Sequence, residues 1–425
     1  MASIVTSKFR IHNAQQFYES FSEAANTIMY LFVGKNTAFA NDNSPPTPIN
    51  STANIEYTPW RDMYGVKRIQ SADVTHAIPR YDWTSGTVYV AYDDTSTSLL
   101  TDTFYVMTED YNVYKCLFNN ASAASTTKPT GTSSTRFTTA DGYIWKFMYT
   151  VSTAKALKFL TSDYMPIQTL ASDDGTTQWS VQSAAVDGAI EVIKVTSGGS
   201  GYATAPSVTI VGDGTGATAN ATITANVVTA VTITAAGTGY TKASVSFGSG
   251  AAAATAIISP RYGHGADPIE ELGAKYVMIN VRLDGSESNT ISTANEFRQV
   301  GIVRDPYLFG TTTRASASSY RQTFKYQLSG ISGTFSLDEI VTSGSNTATV
   351  VEWDTPNLYL TKPVNQNFAN AASITGSTST ATGTIAAITT PGLEPYTGDI
   401  LYVENRVPIS RAADQIEDVK LIIQF

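Results

Sequence analysis

The sequence predicts a mainly β fold with short helices, a β-rich α+β chain. Three observations lead there. Charged residues make up only 15% of the 425 residues, and Ser, Thr, Gly and Ala fill the gap; an ordinary soluble domain is about one-quarter charged. Short runs of Val, Ile, Thr and Tyr alternate with small polar residues and end at Gly, Pro or Asp, which is the pattern of strands and tight turns. Two stretches also repeat internally. The length exceeds what one compact core usually holds, so several domains are expected.

Taken in order, residues 13–25 read as a helix, with Asn13 as its cap, Gln16 as the reciprocal partner, and Phe17, Phe21 and Ala24 on one face. Asn26 and Thr27 lead into an apolar strand ending at Val33. Pro45, Pro46 and Pro48 mark a loop. Thr58-Pro59 starts a second helix, with Trp60, Met63 and Tyr64 along one side. Strands follow at 87–92, 103–108, 113–118 and 143–151. The last sets Tyr143, Trp145, Phe147 and Tyr149 against Ile144, Lys146, Met148 and Thr150, bulky on both sides, so both faces should be covered. Residues 119–139, rich in Ser and Thr, form a mobile loop. Asp267 caps a short helix from Pro268 through Glu271, Tyr276 to Val281 is a strand, and Val419 to Phe425 is the last one. In that strand Val419, Leu421, Ile423 and Phe425 form one apolar face, so the terminal phenylalanine should be buried.

The first repeat lies in residues 181–259. Gly199-Ser200-Gly201-Tyr202 recurs as Gly237-Thr238-Gly239-Tyr240, 38 positions on. An alternating Val/Ile/Thr run precedes each copy and another follows it. Only Asp187, Glu191, Lys194, Asp213 and Lys242 are charged in this stretch, as expected of two β units packed on each other. The second repeat, in 324–389, has a period of 33: Phe335, Val341 and Ala348 map onto Phe368, Ile374 and Ala381. Residues 349–353 and 357–361 alternate as hairpin strands.

Function classes can be excluded on composition. The net charge is −9 and the pI about 4.9, without a Lys/Arg cluster, so no nucleic acid and no anionic membrane surface is expected as a partner. The single Cys116 lies in a strand-like run and reads as a small buried apolar residue. The start Met-Ala-Ser-Ile lacks a secretory pattern, and no apolar run approaches the roughly 20 residues of a membrane span. The chain should therefore stay in a reducing cytoplasm or be built into a particle there.

Catalytic and cofactor signals are weak. His12, His76 and His264 do not share metal-ligand spacing, so neither a metal nor a cofactor is expected. Gly212-Asp213-Gly214-Thr215-Gly216 lacks the Gly-Lys-Ser/Thr of a phosphate loop and reads as a turn. Asp93-Asp94 and Asp173-Asp174 could hold calcium but suit exposed turns better. Glu270 and Glu271 are adjacent at a helix start and should point apart, unlike paired glycosidase carboxylates. The chain is not expected to be an enzyme. Arg80-Tyr81-Asp82-Trp83, Glu404-Asn405-Arg406 and the segment around Trp60 are the interaction candidates, since Arg, Tyr and Trp dominate protein–protein hot spots. The competing reading is that Arg80–Asp82 and Glu404–Arg406 satisfy each other internally while the aromatics pack.

Several blocks, in order, carry a family resemblance. They are Ser3 to Arg10, Asn26-Thr27-Ile28, Ala77-Ile78-Pro79-Arg80-Tyr81-Asp82-Trp83, Val113 to Leu117, Asp141 to Lys146, Arg298 to Val303 with Asp305-Pro306, and Ile400 to Ile409 with Asp414-Gln415 and the tail from Val419. Together they resemble the gene-eight product family, the baseplate wedge subunits of T-even-like contractile-tailed phages. The resemblance implies a β-sandwich core with helical excursions. It implies a homodimer clamped by other baseplate wedge proteins in the virion tail. The work would be mechanical: holding wedge geometry, then rearranging as the tail contracts. The repeats have no counterpart in that pattern and resemble decoration modules of phage structural proteins. The expected organisation is then a core made of 1–180, 260–323 and 390–425, with β-repeat modules inserted at 181–259 and 324–389. A host glycan-binding tail adhesin, using the tyrosines of the Gly repeats, is the alternative. A tail-associated glycosidase is a third.

Overall fold

The computed structural model describes residues 3–23 and 27–425. The chain is β-rich with short helices, as composition implied, and it divides into two compact units. One holds the chain up to Gln16, Thr75–Met278 and Ile422–Phe425; the other holds Phe17–Val74 and Ile279–Leu421.

The centre of the first unit is a sheet ordered Tyr105–Met107, Asn112–Asn119, Tyr143–Thr150 and Phe137–Thr138. Its middle strands are covered on both faces, as the bulky alternation predicts. Tyr114, Cys116, Tyr143, Trp145 and Phe147 share one core. Val113, Met148 and Tyr149 share another. Tyr149 therefore leaves the face that simple alternation assigned it. The register explains this: Val113 lies opposite Tyr149 and Tyr114 opposite Phe147, so Met148 is an extra residue. Such a bulge turns every later side chain to the opposite face. Burial pushes the Cys116 thiol far up, which suits a small apolar residue.

Residues 87–92 do not form the predicted strand. Val90 N–H bonds the Thr103 carbonyl while Tyr92 N–H bonds the Cys116 carbonyl. The segment divides its bonds between two neighbours, so no ladder forms; Thr87 makes only an isolated bridge to Ser125. The first helix also differs from expectation. It runs Ser7–Glu19, with the Thr6 hydroxyl accepting from Phe9 N at 3.3 Å. Asn13 lies inside it and caps nothing. Phe17 and Phe21 still meet edge to face at 5.2 Å. Ala24 and Asn26 lie outside the described residues.

The Gly-rich repeat forms two interlocked copies. The first contributes Ile190–Ser197, Val208–Gly212 and Thr215–Thr224; the second contributes Val227–Thr238, Ala243–Phe247 and Ala253–Ile258. The middle strands of the two copies pair with each other. The third strand of each copy pairs with the first strand of the other. The two tyrosines are buried and reciprocal. Tyr202 accepts from Ala252 N at 2.9 Å, in the second copy. Tyr240 accepts from Ala217 N at 3.3 Å, in the first. Glycine is required beneath each ring. A Cβ on Gly250, at φ +76°, would stand 2.4 Å from Tyr202, and one on Gly214 would stand 2.5 Å from Tyr240. Neither ring presents a face to a glycan.

The second unit is built on a five-stranded sheet ordered Ser319–Arg321, Met63–Arg68, Met29–Gly34, Phe297–Arg304 and Asp399–Ile409. The helix expected at Thr58 stops at Asp62, so Met63 and Tyr64 belong to a strand. Met63 takes extended backbone angles and pairs opposite Gly34, so sheet pairing overrides the helical spacing. Gly301 admits the Phe32 ring, which a Cβ would meet at 2.4 Å.

Six strands between Phe324 and Thr389 close into a small barrel. Its core holds Phe335, Val341 and Ala348 of one repeat and Phe368, Ile374 and Ala381 of the other. The barrel is tied to the sheet by Asp338, whose Oδ1 accepts from Asn36 and Asn295, each at 2.8 Å. The last strand is Ile416–Gln424. Val419 and Leu421 are buried as expected; Ile423 and Phe425 are only half-buried, so the terminal ring is not sealed in the core.

The reciprocal tyrosines yield a prediction. Tyr202→Ala and Tyr240→Ala should each lower stability by roughly 3–5 kcal/mol, the usual cost of deleting a buried aromatic side chain. Gly250→Ala should also destabilise, through clash and left-handed strain. Urea unfolding of the full chain measures this. Unchanged midpoints would refute the reciprocal packing.

Candidate functional site

Among the described residues, no group of three or more His, Cys, Asp or Glu side chains is placed to hold a metal ion. No helix among them is long and apolar enough to cross a membrane. Three of the paired aspartates act in turns, and Asp94 accepts from Ile258 N at 3.2 Å. Asp93 accepts from Thr95 N at 3.0 Å, Asp173 from Gly175 N at 2.9 Å, and Asp174 from Thr176 N at 3.0 Å. Asp213, in the run that resembled a phosphate loop, accepts from Thr241 N at 2.9 Å and Lys242 N at 3.1 Å. It ties one repeat copy to the other.

The densest chemistry is a buried charge cluster in the first unit, which sequence reasoning missed. Lys115 sits mid-strand with a fully buried side chain. Its Nζ donates to Glu271 Oε2 at 2.8 Å, lies 3.0 Å from His264 Nδ1, and stands 4.1 Å from the centre of the Tyr92 ring. Local sequence sets this up. Pro268 fixes the first turn and Asp267 accepts from Glu270 N at 3.2 Å. The four-residue helix Pro268–Glu271 then turns Glu271 inward. Glu270 points away, to Lys8 at 3.4 Å. Glu271 Oε1 also accepts from Gly265 N at 2.7 Å. The one available signal was a lysine inside an apolar strand-like run, which a buried partner must neutralise.

Burial pushes the Lys115 and His264 pKa values down. Burial alone would raise Glu271, but the neighbouring Lys115 charge and its hydrogen bond outweigh it and hold the carboxyl at about 2. With Lys115 protonated, His264 Nδ1 is an acceptor and the neutral ring carries its proton on Nε2. The cluster has no surface to offer a substrate. It clamps the loop from Tyr262 to Glu271 onto the sheet.

The sequence-selected interaction residues are held as follows. Trp60 is buried with Tyr30, Phe32 and Val66. Arg80 grips Asp82 through two bonds of 2.9 Å and donates to the Thr161 carbonyl at 2.9 Å. Tyr81 stacks obliquely against Tyr105 at 5.3 Å, and Trp83 Nε1 donates to Ser125 Oγ at 3.1 Å. Arg406 pairs with Glu404 at 2.8 Å and donates to the Lys420 carbonyl at 2.8 Å. Arg80, Tyr81 and Trp83 share the first unit; Trp60, Glu404 and Arg406 share the second. Sequence reasoning did not single out Leu401 and Val407, two exposed apolar residues on the strand Asp399–Ile409.

The buried pair has a pH signature. Glu271 contributes stability above the unfolded carboxyl value, roughly 4.3, and loses it as pH falls toward about 2. His264 works in the same direction: the unfolded imidazole takes a proton below about 6.5 while the buried one resists. Lys115→Met or Glu271→Gln alone should cost roughly 3–5 kcal/mol, because an uncompensated charge or acceptor is left buried. The double change Lys115→Met/Glu271→Leu should recover most of that and flatten the acid limb below about pH 4.5. Urea unfolding across pH reads both. Single and double variants of equal stability would refute the pairing.

Two comparisons with known proteins bear on the chain. The family described as Bacteriophage T4, Gp8 matches residues 3–120. A relative, the baseplate wedge protein gp8 of Enterobacteria phage T4, is 25% identical over 206 residues, covering 39% of this chain and 60% of that protein's length. The matched family span contains the blocks Ser3 to Arg10, Ala77 to Trp83 and Val113 to Leu117. The resemblance those blocks carry is borne out: the chain is similar to the gene-eight family of phage baseplate wedge proteins.

Proposed function

We propose that this chain is a structural subunit of a phage tail baseplate wedge, carried in the virion, where it holds wedge geometry and rearranges as the tail contracts. The observation that carries the reading is the family match over residues 3–120. The chain works as a homodimer and contacts other baseplate wedge proteins. Its contacts use surfaces around Trp60, Arg80, Tyr81, Trp83, Glu404 and Arg406. The exposed Leu401 and Val407 beside Glu404 and Arg406 support a contact on that strand, because interface centres pair apolar residues with Arg. The spans 181–259 and 324–389 are modules inserted into a core whose pieces are 1–180, 260–323 and 390–425. Closure of the barrel between Phe324 and Thr389 supports the second insertion, and the interlocked strands between Ile190 and Ile258 support the first. The role is mechanical and not catalytic, and the sealing of the Lys115–Glu271 cluster away from solvent agrees with that.

Two measurements test the proposal. Sedimentation of the full chain at micromolar concentration should give a dimer, and Leu401→Glu/Val407→Glu should weaken that dimer or binding to the other wedge proteins at least tenfold. Replacing residues 181–259 by a short Gly-Ser linker should leave a folded, still dimeric chain. A monomer that joins no wedge assembly, or a dimer that vanishes only with the repeats, would defeat the assignment.

A further inference from the structure

The first unit contains a cleft of about 940 Å³ that the wedge role does not use. Its volume lies near the top of the range of roughly 300–1,000 Å³ typical of small-molecule sites. The walls come from the segment 90–98, the turn after Phe118, and the strands Ile190–Ser197 and Val227–Thr238. The lining decides what could fit. Its charges are Asp93 and Glu191 against Arg136 and Lys194, two of each sign, so neither a phosphate-rich nor a strongly cationic ligand is favoured. Most of the remaining polar lining is hydroxyl or amide: Ser96, Thr97, Asn119, Asn120, Thr229 and Thr232 among others. Phe118, Ile144 and Val231 add apolar patches to the same walls.

A peptide strand would need an open ladder edge. The strands that form most of the walls are interior to their sheets, and the edge strands Phe137–Thr138 and Ala253–Ile258 contribute only Thr138 and Ile257. Ile190–Ser197 lies between Val227–Thr238 and Ala253–Ile258, Val227–Thr238 lies between Thr215–Thr224 and Ile190–Ser197, and Asn112–Asn119 lies between Tyr105–Met107 and Tyr143–Thr150. Augmentation by an added strand is therefore closed off along the main walls. One further feature marks the cleft. Asn120, Ala121 and Ser122 hold three consecutive left-handed conformations, at φ 47°, 54° and 67°, where they line the cleft. Non-glycine residues rarely adopt such angles, and strain of this kind gathers at ligand sites.

We infer that this cleft binds a short, neutral oligosaccharide. Hydroxyls and amides would exchange hydrogen bonds with the sugar hydroxyls, and the apolar patches would meet the C–H face of a pyranose ring. The site stands apart from the buried repeat tyrosines, and it does not depend on the baseplate assignment.

The full chain, screened on an array of bacterial surface glycans and titrated by calorimetry against the hits, tests the inference. A neutral glycan should bind. Thr232→Trp and Thr229→Trp, which fill the cleft from exposed wall positions, should each weaken that binding at least tenfold. Ser246→Trp, on the same repeat module outside the cleft lining, should leave it unchanged. Lys194→Glu, at an exposed position in the wall, serves if Thr232→Trp fails to fold, and it too should weaken binding. No retained glycan at millimolar concentration, or binding that survives both wall variants, overturns the inference. So does cleft-dependent binding of peptides from a peptide array in place of glycans.

Discussion

The second unit depends on one ladder between residues far apart in sequence. Met29–Gly34 pairs along its length with Phe297–Arg304, and Phe297–Arg304 pairs in turn with Asp399–Ile409. The barrel strands between Phe324 and Thr389 fall between two strands of that sheet, Ser319–Arg321 and Asp399–Ile409. Once the ladder forms, the excursion closes on the sheet that launched it. Loop-closure entropy grows only with the logarithm of length, by about 0.6 kcal/mol per doubling. A long excursion that brings its own core therefore costs the sheet little. The barrel has that core, and Asp338, held by Asn36 and Asn295, fixes it to the sheet.

The first unit rests on a different constraint. Its central strands are buried on both faces, and each carries a buried lysine; Lys146 reaches the Ser134 carbonyl, while Lys115 needs a charged partner. Lys115 cannot reach water, so Glu271 must come to it, and the loop from Gly263 through the short helix exists in the shape that delivers it. A sealed ion pair of this kind is poor evidence for net stability. Its effect is positional: a packing that separates Lys115 from Glu271 leaves a buried charge stranded.

Much of this was legible in the residues, and what was not has identifiable physical causes. Strand content followed from β-branched alternation, and the short helix at Asp267-Pro268 followed from its cap. The repeats were visible as sequence, but their exchange of strands was not, because pairing partners are a property of three-dimensional closure. The first helix was misplaced because Asn13 looked like a cap, while Thr6 had the better geometry. Met63 and Tyr64 kept helical spacing but were drawn into a sheet by Gly34. A single bulge at Met148 moved Tyr149 to another core. Lys115 was read as part of a strand, and its partner lay 156 residues away, beyond the reach of any local pattern.

The strand exchange in the Gly-rich module has a consequence for how such a module can arise. Taken alone, one copy would offer an open first strand and an unpaired third strand, each complementary to the other. A second copy fills both at once, so the smallest closed object has two copies related by an approximate two-fold axis. On separate chains that closure would depend on concentration. Joined by the two-residue turn Ala225-Asn226, both left-handed, it becomes intramolecular and independent of dilution. Loss of either copy would not halve the module. It would return the remaining half to searching for a partner on another molecule.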